Sequence, residues 1–142
     1  MHSFRFLQGL AVVLGATALA APAEVVVVVN PRNPVATLTR QQVSLIYSGR
    51  LGSFPTGTSV TPLDLGEGTA LRDEFYAKVT GRNPGEVRAY WSKQLFSGNG
   101  TPPRELATMD DVKRNVASDP SAIGYIDRAA LDASVKEVLS VR

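Results

Sequence analysis

A run of five valines, Val25–Val29, constrains the fold of this chain more than any other feature of its sequence. β-branched side chains favour extended backbone, and an apolar run without alternation indicates a strand that is buried on both faces. Such a strand is typical of a parallel sheet with helices packed on each side. Residues 30–34, Asn-Pro-Arg-Asn-Pro, end the run with residues that favour turns. The sequence therefore predicts a central strand inside a helix-covered sheet.

Helix signals and strand signals alternate along the remaining chain. Thr39 and Gln42 form a capping box at the start of a helix that ends at Gly49. Asn83 caps a later helix, which carries Pro84 at its first position. Further helices are predicted over 70–79 and 109–118, and further strands over 59–65, 122–127 and 135–141. This order predicts a single α/β domain, with a mixed, mostly parallel sheet flanked by helices and a final strand that runs antiparallel at an edge.

Apolar side chains recur at helical spacing along the third predicted helix. They are Val87, Tyr90, Trp91, Leu95 and Phe96. Aromatic residues at this spacing are typical of a helix face that packs into the core. We therefore expect these side chains to be buried, and the alternative is a surface that attaches to a protein partner.

The composition excludes several kinds of site. The chain has 142 residues, which suits one domain, and no cysteine, so disulfides, thiolate catalysis and cysteine-ligated zinc are excluded. Its one histidine is His2, close to the amino terminus. The formal net charge is +2, and it falls to +1 without Arg5, the single basic residue of the first 23. A balance so close to zero predicts neither a nucleic-acid partner nor a polybasic membrane surface.

The first 23 residues have the three parts of a secretory signal peptide. A charged start over residues 1–5 is followed by an apolar stretch over 6–19 and by small residues over 20–23. These small residues predict cleavage before Glu24, and the alternative site follows Ala20. The apolar stretch is shorter than the roughly 20 residues that span a bilayer, so a membrane anchor is the less favoured reading.

Residues 24–142 are therefore expected to be the mature domain, periplasmic or secreted, without a stable membrane anchor. Removal of the signal peptide also removes His2, and a chain without imidazole has neither a Ser-His-Asp triad nor a histidine-bound metal. We expect a protein that is not an enzyme, with no catalytic residue, no metal and no cofactor.

A short segment between a strand and a helix, residues 64–72, has the parts of a small-anion site. Gly66 and Gly68 let the backbone approach a ligand, and the first turn of the helix offers unpaired N–H groups at the positive end of its dipole. Thr69 adds a hydroxyl, and Arg72 adds a charged fork. The predicted ligand-binding residues are therefore Gly66, Gly68, Thr69, Ala70 and Arg72. The alternative is that Thr69 only caps its helix, that the glycines only form the turn and that Arg72 is solvated.

Four segments, in order, resemble the phosphate-binding proteins of bacterial ABC importers. They are residues 38–50 (LTRQQVSLIYSGR), residues 60–63 (VTPL), residues 66–69 (GEGT) with Phe75 after them, and residues 122–126 (AIGYI). The resemblance implies a type 2 periplasmic-binding-protein-like fold, and the length of residues 24–142 suits one lobe of it. It also implies that Gly66, Gly68 and Thr69 contribute to a phosphate site. Glu67 stands where these relatives have a serine, and no arginine shortly precedes the loop, as it does in them.

Two functions follow from these observations. The first is an exported solute-binding protein that holds phosphate or a related oxyanion for ABC-type uptake, with importer membrane subunits or a second copy of the chain as partners. The second is a periplasmic interaction or assembly module that keeps the fold without a ligand. Glu67 favours the second function, because a carboxylate repels phosphate. The acidic pairs Asp73-Glu74 and Asp110-Asp111 are expected to be solvated or to complement a helix dipole, not to catalyse or to bind metal.

Overall fold

The computed structural model describes residues 24–142 together with Gly9, so the predicted signal peptide otherwise lies outside the described residues. The elements in residues 24–142 are β1 (Val25–Val29), α1 (Arg40–Tyr47), β2 (Thr61–Leu65), α2 (Ala70–Val79), α3 (Pro84–Phe96), β3 (Arg104–Leu106), α4 (Met109–Ser118), β4 (Ala122–Asp127) and β5 (Lys136–Val141). A short 3₁₀ helix, Arg128–Ala130, lies between β4 and β5. The order agrees with the predicted alternation of helices and strands.

The described strands form one sheet in the order β3-β2-β4-β1-β5. β2 pairs in parallel with β3 and β4, whereas β1 pairs in antiparallel with β4 and β5. Four strands therefore point the same way, and β1 points the opposite way. This mixed sheet flanked by helices confirms the predicted α/β fold class, and β5 is the antiparallel edge strand that the sequence predicts.

Every valine of β1 is fully buried, as the valine run predicts. The strand's neighbours are antiparallel, however, so the expectation of parallel partners for this run is wrong. β1 lies inside the sheet, and both α2 and α4 contact it. Burial on both faces follows from that cover, and the direction of the neighbouring strands does not determine it.

The helices α2 and α4 cover opposite faces of β4. A Cβ atom on Gly124 would lie 2.5 Å from Cγ1 of Val112 in α4. The ring of the next residue, Tyr125, stacks on Phe75 of α2 with ring centroids 4.1 Å apart. Successive side chains of a strand point to opposite faces, so the two helices lie on opposite sides of the sheet. The missing side chain of Gly124 lets α4 approach the strand closely.

Side-chain caps fix the starts of three helices. Thr39 and Gln42 form the predicted capping box at α1, and Asn83 and Glu86 form a second capping box at α3. The hydroxyl of Thr108 accepts a backbone hydrogen bond at the start of α4. These caps confirm the helix starts that the sequence predicts at these positions.

The last turn of α3 corrects the predicted apolar face of this helix. Val87 and Trp91 are buried and Tyr90 is half-buried, as expected. Leu95 is 55% exposed and Phe96 is 97% exposed, so the expectation that both are buried is wrong. The helix continues past Trp91, and its last turn lies beyond the surface that buries the earlier apolar side chains. Helical spacing alone does not reveal where such a surface ends.

The short strand β3 is a strand that the sequence does not reveal. It has only three residues, Arg104–Leu106, and two of them are exposed, so it lacks an apolar run. It pairs in parallel with the end of β2. The strand matters because it leads directly into α4 and so places that helix beside the end of β2.

Residues 24–142 contain neither a membrane-spanning helix nor a cluster of metal-ligating side chains. None of the helices in that part of the chain combines the length and the apolarity that crossing a membrane requires. No group of three acidic or histidine side chains lies close enough together to hold a metal ion.

Candidate functional site

The carboxyl ends of the parallel strands and the starts of α2 and α4 meet at one edge of the sheet. A cavity of about 330 Å³ lies there. Leu65 and residues 69–71 line it on the α2 side, and residues 107–109 and Asp127 line it on the α4 side. Ligands of open α/β sheets bind in this position, beyond the carboxyl ends of the strands. Of the predicted site residues, Thr69 and Ala70 therefore line the cavity.

A hydrogen bond from a side chain to the backbone closes the turn before α2. The hydroxyl of Thr69 donates to the carbonyl oxygen of Gly66 at 2.6 Å, and α2 has no side-chain cap. The alternative that Thr69 caps its helix through its side chain is therefore wrong. Gly68 has a φ of 86°, a conformation that other residues rarely adopt. Within residues 24–142, the first N–H groups of α2 therefore have no side-chain cap, and they lie at the positive end of the helix dipole.

The carboxylate of Glu67 turns away from this cavity. Its Oε1 atom lies 3.0 Å from Nε of Arg88 in α3, and both side chains are at least half exposed. Glu67 borders a small void of about 10 Å³ between α2 and α3, and it is not among the residues that line the larger cavity. The negative charge in the loop is thus paired with a cation on the far side of the turn.

The guanidinium of Arg72 lies behind the loop. Its Nη1 atom donates to the carbonyl oxygen of Leu65 at 2.7 Å and to Oε1 of Glu105 at 2.8 Å. Burial opposes its charge, but the neighbouring Asp64 and Glu105 outweigh burial and raise the pKa of Arg72. Arg72 is buried and does not line the cavity, so its predicted charged fork holds the protein's own backbone.

A buried carboxylate, Asp64, lies just before the loop. Its Oδ2 atom accepts a hydrogen bond from the hydroxyl of Tyr76 at 2.5 Å, and its Oδ1 atom accepts one from the hydroxyl of Tyr125. Oδ1 also accepts the backbone N–H of Leu65 at 2.8 Å. Burial raises the pKa of Asp64, although these hydrogen bonds and the charge of Arg72 act against it. Burial and the nearby carboxylate also raise the pKa of both tyrosines, which therefore remain protonated donors.

Sequence reasoning missed most of this surrounding shell. Asp64, Tyr76, Tyr125, Glu105 and Thr108 were not assigned to the site. One signal was present, because Asp64 is a charged residue between two leucines at the end of a strand predicted to be buried. The contacts of Tyr76 and Tyr125 with Asp64 depend on which strands are neighbours, and the spacing of residues does not show this.

Several solved binding-protein structures share this fold. One is a Clostridium perfringens protein assigned as a phosphate ABC transporter substrate-binding protein and solved with bound phosphate, with a TM-score of 0.67, 22% identity, and a match over 82% of this chain and 44% of that chain. A second is an ABC-type phosphate transport receptor from Vibrio cholerae, with a TM-score of 0.65, 20% identity, and a match over 82% and 45%. A third is PstS from Borrelia burgdorferi, with a TM-score of 0.58, 10% identity, and a match over 82% and 46%.

The chain has the fold of a single lobe of such a protein. It spans less than half the length of these structures, and the identities are low enough that the likeness concerns the fold alone. No family model matches the sequence, and no curated protein matches it significantly. The resemblance that the four sequence segments imply is thus confirmed at the level of the fold.

Proposed function

We propose that the protein binds a small oxyanion, with phosphate as the first candidate, at the start of α2. One observation carries the proposal: the first turn of α2 has no side-chain cap and borders a cavity at the carboxyl ends of parallel strands. Backbone N–H groups at a helix start are suitable donors for an anion. The proposed binding residues are Gly66, Gly68, Thr69 and Ala70. Arg72 acts indirectly, because it donates a hydrogen bond to the carbonyl oxygen of Leu65, just before the loop.

The neighbouring helix start at α4 is the weaker candidate for the anion. Thr108 caps it, and two carboxylates, Asp110 and Asp111, lie in its first turn. Those charges already complement the dipole and repel an anion, as the sequence predicts for this pair. At α2 the only acidic residue of the first turn is Asp73. The anion is therefore placed against α2, and α4 forms the opposite wall of the cavity.

The proposed role is solute binding for ABC-type uptake, outside the cytoplasm. The predicted signal peptide over residues 1–23 supports export, and the shared fold with phosphate-type binding proteins supports a binding role without catalysis. Importer membrane subunits, or a second copy that closes the cavity, are the partners of this proposal. No side-chain cation from residues 24–142 lines the cavity, so we expect binding that is weak and sensitive to salt.

Calorimetry with phosphate and with sulfate tests the proposal, on protein purified from expression of the full chain. Ala70→Pro removes one N–H donor at the first position of α2, where proline is compatible with a helix and where Thr69 is already extended. Arg40→Pro makes the same change at the first position of α1, away from the cavity. The proposal predicts heat of binding that Ala70→Pro abolishes and Arg40→Pro retains. Absence of heat from the wild type with millimolar oxyanion, or equal binding by both variants, would contradict it.

A second function has one observation in its favour. Leu95 and Phe96 form an exposed apolar end of α3, which suits attachment to a protein. An interaction or assembly module would show a defined dimer in light scattering that Phe96→Ser dissociates. A monomer over the whole accessible concentration range, together with oxyanion binding, would rule this function out in favour of the first.

A further inference from the structure

We infer that Asp64 and Tyr125 are positioning residues for the loop over residues 66–69, and that they act through the peptide groups of Leu65. The part of this inference that concerns the ligand rests on the proposed function. The part that concerns the loop stands on the geometry of the ligand-free protein.

The first observation is a gap between β2 and β4. These strands pair only at Thr61 with Ala122 and at Pro62 with Ile123, so the ladder stops before β2 ends. Beyond that point tyrosine hydroxyls form hydrogen bonds with backbone groups of β2. Tyr47, from α1, donates to the carbonyl oxygen of Leu63 at 2.8 Å and lies 3.3 Å from that of Ile123. The end of β2 is therefore held by side chains on its β4 side.

The second observation is that side chains hold both polar backbone groups of Leu65. Its N–H group donates to Oδ1 of Asp64 at 2.8 Å and to the hydroxyl of Tyr125 at 3.2 Å. Its carbonyl oxygen accepts Nη1 of Arg72 at 2.7 Å. Leu65 is the residue from which the loop over residues 66–69 departs. The direction in which Gly66 leaves the strand therefore depends on these three side chains.

A purely stabilising role accounts poorly for the choice of a carboxylate. Asp64 is almost fully buried and forms no direct ion pair with any of residues 24–142, and burial of an unpaired charge is costly. Its two oxygens accept three donors, which fixes the carboxylate in one orientation. Fully satisfied polar networks of this kind specify one arrangement of the groups around them. Here the arrangement that they specify is the start of the loop.

The chain offers a matched pair of variants. Tyr125→Phe removes the hydroxyl that contacts Asp64 and Leu65, and it keeps the ring that stacks on Phe75. Tyr47→Phe removes an equally buried hydroxyl that contacts β2 and β4 but not Leu65. Tyr47→Phe removes the hydroxyl donor of the carbonyl oxygen of Leu63, whereas Tyr125→Phe removes one of the donors to Asp64 and one of the two acceptors of the Leu65 N–H group. Both variants lose buried hydrogen bonds, and the reference amide described next separates that general loss of stability from a change at Leu65.

Amide hydrogen exchange on the ligand-free protein, with Val27 of β1 as the reference amide, compares the two variants. Relative to Val27, we expect the hydrogen-bonded amides of Leu65 and of Thr69 to exchange about tenfold faster or more in Tyr125→Phe, and to keep the wild-type ratio in Tyr47→Phe. If Tyr125→Phe does not fold, Tyr76→Phe replaces it, because it removes the other hydroxyl on Asp64. An equal change in the ratio for both phenylalanine variants, or no change for either, would overturn the inference.

A wild-type measurement needs no variant at all. The amide of Leu65 contacts Asp64, and the groups that face this carboxylate are Tyr76 and Arg72 from α2, Tyr125 from β4 and Tyr47 from α1. None of those four changes charge in mild acid. The amide resonance of Leu65 should therefore titrate with Asp64, at a pH above the ordinary range of an aspartate, while that of Leu63 stays constant. A Leu65 resonance that is constant through this range contradicts the role of Asp64.

Phosphate titration of the same variants separates this inference from the proposed function. We expect Tyr125→Phe to weaken phosphate binding by about tenfold and Tyr47→Phe to leave it within about twofold of the wild type. If the wild type binds no phosphate, the proposed function fails, and the exchange ratios still decide whether Asp64 and Tyr125 position the loop.

Discussion

Oε1 of Glu67 lies 3.0 Å from Nε of Arg88, so the carboxylate inside the glycine loop faces α3 and not the cavity. A carboxylate in the loop would repel a bound anion, and this pairing reduces that repulsion. The carboxylate is partly neutralised by Arg88 and directed away from the start of α2. Its remaining effect on an anion is a repulsion through solvent, which salt screens.

Removal of that pairing should weaken anion binding. In Arg88→Ala the carboxylate of Glu67 loses its partner, and we expect phosphate affinity to fall by about two- to fivefold at low salt. Glu67→Gln should raise the affinity by a similar factor. Calorimetry at low and high ionic strength measures both effects. Glu74→Gln, which removes a charge paired with Lys78 further along α2, is the control and should change affinity less. Identical affinities for all three variants would show that Glu67 does not act on the ligand.

A methyl group at Gly124 should destabilise the protein. Its Cβ would lie 2.5 Å from Cγ1 of Val112, so Gly124→Ala should lower the free energy of unfolding by about 1–3 kcal/mol. Gly85→Ala places the same methyl group in α3, where the contact to Asn83 is ordinary, and should be neutral or stabilising by up to about 1 kcal/mol. Urea denaturation measures both values. Val112→Ala combined with Gly124→Ala should recover part of the loss, and the absence of any recovery would contradict the contact as its cause.

The buried carboxyl group of Asp64 should make the free energy of unfolding depend on pH. Burial raises the pKa of Asp64 in the folded protein above its ordinary value of 3.8, so the folded state holds this proton more tightly than the unfolded state. The contribution of Asp64 is therefore fully present below the ordinary pKa and is lost as pH rises through the raised value. In Asp64→Asn this titration is absent. The free energy of unfolding of Asp64→Asn, relative to the wild type, should increase as the pH rises above 3.8, the ordinary pKa of the group. Urea denaturation at several pH values checks this, and a constant or decreasing difference would contradict it.

The two aromatic residues of α3 should differ sharply in their contribution to stability. Trp91 is buried against Gly49, and Trp91→Ala should lower the free energy of unfolding by about 3 kcal/mol. Phe96 is 97% exposed, and Phe96→Ala should change it by less than about 0.5 kcal/mol. Thermal or urea unfolding of both variants measures the contrast. A comparable loss from Phe96→Ala would mean that the last turn of α3 is buried in solution, for instance in a dimer.

Local signals in the sequence predicted the elements of the fold well. The capping boxes at Thr39 and Asn83 and the valine run of β1 each depend on neighbours within a few residues, so the spacing of residues was enough to place them. Strand β3 was not predicted, because three residues carry no periodicity. The exposure of Phe96 was not predicted either, because it depends on where a packing surface ends.

The site was predictable only in part. The glycine turn and the helix start follow from local sequence, and both are present. The hydroxyl of Thr69 donates to the carbonyl oxygen of Gly66, and Arg72 donates to that of Leu65. The sequence predicts these donors for a ligand, but backbone carbonyls of the loop compete for them. The network around Asp64 joins residues more than 60 positions apart, so only the strand order brings it together.

Titration of the isotope-labelled protein with phosphate, followed by amide resonances, measures whether the start of α2 binds the anion. We expect saturable shifts that are largest for the amides of Gly68, Ala70 and Leu71, and only small shifts at the capped start of α1. Residues 109–111 at the start of α4 should shift less than the start of α2. No saturable shift at the start of α2, or shifts of equal size at every helix start, would contradict an anion site at this position.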